Sequence, residues 1–190
     1  YPQYIEKVKL IMLTVSSREH VSDYKNLKKE TDEIVGRING KYSTVNWNPI
    51  AYYYRSMPFD QLIELYVTSD VAMITPVRDG MNLVAKEYIA TRVNGDGVLI
   101  LSEMAGASKE LFEAVQINPF DLYNMSESIF KALTMPKEEQ INRNLSMQNR
   151  LKRYSVEYWA NEFINSLKNK QKFQELNSAI RMDETTIKSI

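Results

Sequence analysis

Short apolar runs alternate with segments of helical periodicity along the first 135 residues of the chain. Runs of strand length lie at 7–15, 50–54, 70–75, 97–101 and 114–117. Apolar residues recur at helical spacing in 22–38, 59–67, 83–92 and 122–134. The pattern therefore predicts strands and helices in alternation. Such alternation is typical of an α/β protein with a Rossmann-like, doubly wound parallel sheet that helices cover on both faces.

The pattern becomes almost continuously helical after Pro136. Apolar residues recur there at intervals of three or four, at Val156, Trp159, Phe163 and Leu167. This spacing predicts amphipathic helices over 136–170, with Trp159 as a core anchor. The sequence turns polar beyond that point, which indicates a linker or tail at 171–190. We therefore expect a sheet domain at 1–135, then helices, then the tail.

Residues 75–88 combine a strand end, a polar loop and a helix start. A proline ends the preceding strand, and Asn82 can cap a helix whose backbone amides would face a diphosphate. Asp79 lies in the loop, and Glu87 lies on the same helical face as Leu83. Both carboxylates can therefore point at one ligand, where sugar or ribose hydroxyls would need acceptors.

The same spacing also fits a segment without a binding site. Arg-Asp-Gly at 78–80 would then be a surface turn, and Glu87 would be a solvated helix residue. Short motifs often match by chance, and the spacing alone favours this alternative. The position of the loops instead favours a binding site. Loops beginning at Arg18, Arg78 and Ser102 all follow predicted strands, and parallel sheets bind ligands at the carboxyl ends of their strands.

Three longer segments carry a specific pattern, in this order: Arg-Asp-Gly-Met-Asn-Leu-Val-Ala-Lys-Glu-Tyr at 78–88, Gly-Val-Leu-Ile-Leu-Ser-Glu-Met-Ala-Gly-Ala at 97–107 and Val-Gln-Ile-Asn-Pro-Phe-Asp at 115–121. Shorter support comes from 17–19, 36–42 and 47–49. In order and spacing these segments closely resemble the trehalose-6-phosphate synthase family. The resemblance covers roughly residues 5–168, which correspond to the carboxyl-terminal half of that family's fold.

The resemblance implies a function for the full-length protein. Members of the family transfer glucose from UDP-glucose to glucose-6-phosphate with retention at the anomeric carbon, using the two-domain GT-B architecture. This chain would be the donor-binding domain, and an amino-terminal domain would bind the acceptor. A weaker likeness in the last twelve residues suggests a phosphatase domain beyond residue 190. The family pattern implies no metal cofactor, and the fragment alone is expected to be inactive.

The resemblance also assigns roles to single residues. Asp79 would contact the donor-glucose hydroxyls and is the candidate catalytic residue, while Glu87 would bind the ribose diol and Arg18 the phosphates. The loop and helix start would contact sugar and diphosphate through Gly80, Met81, Asn82 and Leu83. Leu62 and Val84 would lie near uracil, although either also fits an ordinary core position. Lys86 is interpreted as a solvated cation.

The loop at 102–107, Ser-Glu-Met-Ala-Gly-Ala, has two open interpretations. In the family it resembles a loop near the donor sugar. Otherwise it is a strand-to-helix connection in which Gly106 and its alanine neighbours allow close packing.

Composition excludes several classes of protein. Lys plus Arg and Asp plus Glu number 24 each, so no net charge attracts nucleic acid or an anionic membrane. The chain has no Cys and one His, which argues against thiolate chemistry, disulfides and a His-rich metal site. No apolar run is long enough to span a bilayer. We expect a cytoplasmic protein.

Two alternatives from other functional classes stay open. One is a non-catalytic regulatory subunit with the same fold, against which the intact Asp79 and Glu87 count. The other is an unrelated doubly wound domain that binds a mononucleotide, for which the three matching segments would have to be a coincidence.

Overall fold

The computed structural model describes residues 1–15 and 22–187, and it divides into two compact units. The amino-terminal unit is Tyr1–Leu62 and the carboxyl-terminal unit is Ile63–Ile190. Each unit carries its own parallel sheet and is described by itself.

The amino-terminal unit contains two parallel strands and a long helix. After a 3-10 turn at Pro2–Tyr4, the elements are β1 (Leu10–Thr14), α1 (Ser22–Tyr42) and β2 (Ile50–Tyr54). Leu10 pairs with Ile50 and the register continues to Thr14 and Tyr54. Asn39 lies inside α1. Its amide donates to Ile50 O at 3.0 Å and accepts from Ile50 N at 3.1 Å, which ties α1 to the start of β2.

Helix α2 (Phe59–Thr68) carries the chain into the carboxyl-terminal unit. The elements that follow are β3 (Val71–Ile74), α3 (Leu83–Ala90), β4 (Val98–Ser102), β5 (Val115–Ile117), α4 (Leu122–Leu133), α5 (Lys137–Arg153) and α6 (Val156–Ile187). The three strands form a parallel sheet in the order β3-β4-β5. Every residue of β4 is buried, as a continuous apolar run in a central parallel strand requires.

These elements confirm the predicted alternation of parallel strands and helices. Among the described residues, the strands are hydrogen-bonded as a two-stranded sheet in the amino-terminal unit and a three-stranded sheet in the carboxyl-terminal unit. Periodicity identifies a strand but not the strand with which it pairs, so the pairing could not be predicted from the sequence.

The core of the carboxyl-terminal unit lies between its sheet and α4. Six buried residues form it: Val98, Ile100, Val115, Ile117, Ala132 and Met135. Each strand residue whose side chain leaves water contributes about 1.5–3 kcal/mol, so this cluster holds α4 on the sheet. This packing also fixes the edge of the sheet from which the loops after β3 and β4 begin.

Helix α5 docks on the unit through polar side chains. Asn144, only 1% exposed, donates to Gly95 O at 2.7 Å and to Gly97 O at 2.8 Å. Gln148 donates to Ile89 O at 3.0 Å and to Arg92 O at 2.8 Å. These bonds satisfy carbonyls at the end of α3 and in the turn before β4, so α5 fixes the end of the helix that carries Glu87.

A bidentate ion pair also anchors α5, near its carboxyl end. Arg150 donates to the two carboxylate oxygens of Glu113 at 2.6 and 2.8 Å, and its guanidinium lies 3.8 Å from the centre of the Phe112 ring. The hydrogen bonds from Arg150 lower the pKa of Glu113. A forked pair of this kind is stronger than a single surface ion pair because both oxygens are bonded.

Helix α6 differs from the sequence interpretation at Trp159. This residue is not a core anchor, because 64% of its surface is exposed and it stacks on Phe163 at 5.6 Å. A spacing of four residues identifies a shared face, but it does not show what covers that face. The helix passes residue 170 without a break, and its described residues extend to Ile187. The domain boundaries at 135 and 170 stay a prediction. Among the described residues, no helix combines the length and apolarity that a bilayer span requires.

Gly97 is a glycine at which the fold predicts a large loss of stability on substitution. Its φ is 98°, and an added Cβ would lie 2.6 Å from Tyr88 Oη and 2.8 Å from Arg92 Nη1. We expect Gly97→Ala to lower the free energy of unfolding by about 2 to 4 kcal/mol, from backbone strain and overpacking. Chemical denaturation measures this change.

Gly36→Ala is the matched control. A Cβ at Gly36, inside α1, meets no atom within 4 Å. This change should therefore raise the free energy of unfolding by about 0.5–1 kcal/mol. Equal losses in the two variants would contradict the account of Gly97.

Candidate functional site

Two loops meet at the carboxyl ends of neighbouring strands β3 and β4. Asp79 N donates to Met104 O at 3.3 Å, Gly106 N donates to Asp79 O at 2.9 Å, and Ala107 N donates to Met81 O at 2.7 Å. Asp79 and Ala105 also form an isolated parallel bridge. The two loops are therefore one hydrogen-bonded structure, and we call this set of contacts the loop joint.

Gly106 is required for the loop joint. A Cβ at this position would lie 2.1 Å from Gly80 O and 2.7 Å from Gly80 C, closer than any real contact. The interpretation of 102–107 as a close-packing connection is therefore confirmed for Gly106. The surface on which it packs is the backbone of the Asp79 loop, so this packing also shapes the candidate site.

The Asp79 carboxylate is fixed by its own loop. Its Oδ1 accepts from Met81 N at 2.9 Å, and its Oδ2 accepts from the Asn82 side-chain nitrogen at 3.1 Å. The bond from Met81 N, followed by that from Asn82, lowers the pKa of Asp79. The loop thus orients the half-buried carboxylate and favours its ionised form.

Asn82 caps α3, as its place in the sequence predicted. Its Oδ1 accepts from Ala85 N at 2.9 Å, and its φ of 76° lies in the left-handed region that asparagine tolerates better than most residues. One side chain therefore bonds both Asp79 and the first turn of α3. The positive end of the α3 dipole lies next to the loop, where an anion is stabilised.

Glu87 lies one turn further along α3 and is half-buried. Its Oε2 accepts a hydrogen bond from the hydroxyl of Tyr66, on α2, at 3.2 Å. Burial first, and then the charge of Glu87, raises the pKa of Tyr66 to about 12. Sequence reasoning did not find Tyr66, since a tyrosine on the inner face of an amphipathic helix looks like an ordinary core residue.

Lys86 is not the solvated cation that the sequence suggested. Its Nζ lies 2.7 Å from Glu110 Oε2, and its side chain is 21% exposed. The partner is 24 residues away along the chain, which is why sequence spacing could not show the pair.

The remaining predicted site residues are placed only in part. Met81, Leu83 and Val84 have exposed side chains around the helix start, so Val84 is not a core residue. Leu62 is half-buried in α2 and belongs to the amino-terminal unit. Arg18 lies outside the described residues. Their assigned contacts with uracil, sugar and phosphate stay predictions.

A metal site is not evident in the described part of the chain, where no three His, Cys, Asp or Glu side chains lie close enough together to hold an ion. The expectation of metal-independent chemistry is untested by this finding and stays a prediction.

A parallel β-sheet with a capped helix start in the connection after one of its strands defines an α/β protein of the kind that binds ligands at the carboxyl ends of its strands. The particular family follows from comparison with known sequences. The model of glycosyltransferase family 20 matches residues 1–169, so the chain belongs to that family. The resemblance to trehalose-6-phosphate synthases is thereby confirmed.

Relatives with assigned names are consistent with this membership. A bifunctional trehalose-6-phosphate synthase/phosphatase of Thermoproteus tenax is 46% identical over 98% of this chain and 26% of the relative. A UDP-forming trehalose-phosphate synthase of Schizosaccharomyces pombe is 40% identical over 91% and 34%. A glucosylglycerol-phosphate synthase of Picosynechococcus is 42% identical over 88% and 33%. The chain thus spans about a quarter to a third of these relatives.

Solved structures confirm the fold class. A trehalose-6-phosphate protein of Escherichia coli, described as bound with UDP-2-fluoro glucose, superposes with a TM-score of 0.85 at 37% identity, over 88% of this chain and 38% of that one. A synthase of Burkholderia multivorans gives 0.86 at 35% identity, over 93% and 38%. The fold is the carboxyl-terminal half of a GT-B glycosyltransferase.

Gly106→Ala tests the loop joint directly. The new Cβ must displace the backbone at Gly80, because neither partner is a flexible side chain. We expect the affinity of the full-length protein for UDP-glucose, the donor that we propose below, to fall by about tenfold or more, since a displacement of about 1 Å is costly in a positioned site. Titration calorimetry measures the affinity.

Gly40→Ala, on α1, is the control because a Cβ there meets nothing within 4 Å. Wild-type affinity in Gly106→Ala would show that the candidate site does not depend on the joint.

The pKa of Asp79 gives a second test. Because its folded-state pKa is lowered below the unfolded value of about 3.9, its hydrogen bonds stabilise the loop above that pH and are lost as the pH falls through the folded pKa. Carboxyl NMR titration should place Asp79 below its ordinary pKa. Asn82→Gly removes one donor but tolerates the positive φ, so the pKa should rise yet stay lowered by Met81 N. A wild-type pKa at or above the ordinary value would contradict this geometry.

Proposed function

We propose that this chain is the donor-binding half of a retaining glycosyltransferase that transfers glucose from UDP-glucose to glucose-6-phosphate and forms trehalose-6-phosphate. One observation carries the proposal: two carboxylates, Asp79 and Glu87, lie on either side of the capped start of α3. The names of the relatives support this donor and product.

The diphosphate would bind at the start of α3. Backbone amides there present partial positive charge, and Asn82 holds the first turn in place through Ala85 N. The backbone of Gly80 and Leu83 lies on either side of this start, and Arg18 would add a charged contact. When the bond between the anomeric carbon and the diphosphate breaks, the electron pair stays on the phosphate oxygen. These groups would stabilise that charge.

The two carboxylates would divide recognition of the donor. Asp79, in the loop, would accept hydrogen bonds from glucose hydroxyls and keep the anomeric carbon in position. Glu87, one turn into the helix, would accept both ribose hydroxyls. Each such charge-assisted bond contributes roughly 1.5–3 kcal/mol before desolvation is counted. Met81 and Val84, whose side chains are exposed at the helix start, would provide apolar surface for the sugar and the base.

The remaining parts of the enzyme are proposed on the same basis. An amino-terminal domain would bind glucose-6-phosphate, and transfer would need no metal. The absence of cysteine from the chain fits a reducing, cytoplasmic setting. A phosphatase domain after residue 190 is supported by the Thermoproteus relative, which is bifunctional and aligns over 98% of this chain. The reading frame beyond residue 190 tests that last point, and a stop codon there would end it.

A different acceptor is the second candidate. The glucosylglycerol-phosphate synthase is as similar to this chain as the trehalose-phosphate synthases, at 42% against 40–46% identity. The donor half alone therefore does not separate the two acceptors. Product analysis of the full-length enzyme with glucose-6-phosphate and glycerol-3-phosphate in competition would decide between them.

Asp79→Ala and Glu87→Gln should have different kinetic effects in the full-length enzyme. Loss of the sugar contact should lower kcat about a hundredfold, because the reacting carbon is no longer positioned. Loss of one charged ribose contact should raise the KM for UDP-glucose about tenfold with little change in kcat. Steady-state kinetics with varied donor measures both.

Glu138→Gln, an exposed change in the first turn of α5, is the control and should behave like the wild type. If both site variants also behave like the wild type, these carboxylates do not bind the donor.

A further inference from the structure

The hydroxyl of Tyr66 bonds the carboxylate that we assign to ribose. Tyr66 lies on α2 and Glu87 on α3, and the bond between Oη and Oε2 is 3.2 Å long. We propose that Tyr66 is a positioning residue that fixes the Glu87 carboxylate for the ribose diol. The proposal rests on the donor-binding function argued above, and it adds a residue outside the loop and helix start.

Tyr66 is itself held in place from two sides. Its side chain is only 9% exposed, and its carbonyl accepts a hydrogen bond from Arg92 Nη2. Arg92 also donates to Ser69 O at 3.0 Å and lies over the Tyr88 ring at 4.5 Å. The buried guanidinium of Arg92 therefore fixes the end of α2, and with it the position of the Tyr66 phenol relative to α3.

A single phenol leaves most of the carboxylate available. Tyr66 has one hydrogen to donate and uses it on Oε2. The other oxygen and the remaining lone pairs of Glu87 can accept the two ribose hydroxyls. A glutamate on a helix surface otherwise samples several rotamers, and fixing it in advance reduces the entropy lost when the ligand binds.

The group that donates this hydrogen bond is a neutral phenol, so Glu87 keeps the negative charge with which it would bind the ribose diol. Within the described residues no Lys or Arg forms an ion pair with Glu87, and the neighbouring Lys86 is engaged by Glu110 at 2.7 Å. A cation in the place of Tyr66 would compete with the ribose for the carboxylate. The raised pKa of Tyr66, about 12, means that the phenol keeps its proton and stays a donor at neutral pH.

Tyr66→Phe in the full-length protein tests the proposal. It removes the hydroxyl and keeps the ring, and affinities for UDP and for 2′,3′-dideoxy-UDP are measured by titration calorimetry. We expect the affinity for UDP to fall about three- to tenfold, as for loss of one hydrogen bond, and that for dideoxy-UDP to stay unchanged. The preference for the ribose diol should therefore decrease. In a Glu87→Gln background, Tyr66→Phe should have less than about half of that effect.

Tyr88→Phe is the matched control. This phenol is also buried, with a pKa of about 12, but its hydroxyl donates to Ser69 O at 3.2 Å and Asp70 O at 3.3 Å, away from Glu87. Its removal should lower stability without changing the preference for UDP over dideoxy-UDP.

The outcomes separate this proposal from the function on which it rests. An equal loss for both ligands, or no loss, in Tyr66→Phe would overturn the positioning role while Glu87→Gln still loses the preference for UDP. If Glu87→Gln keeps that preference, the ribose role of Glu87 fails and the role of Tyr66 fails with it.

Discussion

The site depends on the contact between Gly106 and the backbone of Gly80. Two loops that follow neighbouring strands can share three backbone hydrogen bonds only because Gly106 has no Cβ, which would otherwise lie 2.1 Å from Gly80 O. These bonds fix the direction in which the chain leaves β3, and hence where Asp79 lies and where α3 begins. The chemistry that we propose needs a carboxylate and a helix start at a fixed separation, and the loop joint supplies both.

The part of the candidate site that contains Glu87 is held by contacts at the end of α3. Helix α5 bonds the end of α3 through Gln148 and the turn before β4 through Asn144, and Arg92 joins the end of α3 to that of α2. The start of α3 is thus held by the loop joint and its end by amide and guanidinium groups. Glu87 lies between these two supports, where Tyr66 reaches it from α2. We infer that the fold holds the Glu87 carboxylate, to which we assign the ribose, more rigidly than helix propensity alone would.

Local chemistry could be predicted from the sequence, and long-range partners could not. Alternating strands and helices, the cap at Asn82 and the placement of Asp79 and Glu87 follow from spacing, and the structure confirms them. Lys86 pairs with Glu110, and Tyr66 bonds Glu87 across 21 residues, and neither contact leaves a periodic signal. The prediction of a core position for Trp159 is wrong because a helical stripe shows a shared face without showing what packs on it. The contacts assigned to Arg18 and Leu62, with phosphate and with uracil, stay predictions. They follow from the family resemblance, and no local sequence pattern indicates them.

A structure of the full-length protein determined with bound UDP-glucose tests the central claim most directly. The account predicts the diphosphate at the start of α3, a glucose hydroxyl within hydrogen-bond distance of Asp79, and both ribose hydroxyls on Glu87 while Tyr66 keeps its bond to Oε2. Uridine bound away from Glu87, or a diphosphate that does not meet the amides of the α3 start, would contradict it.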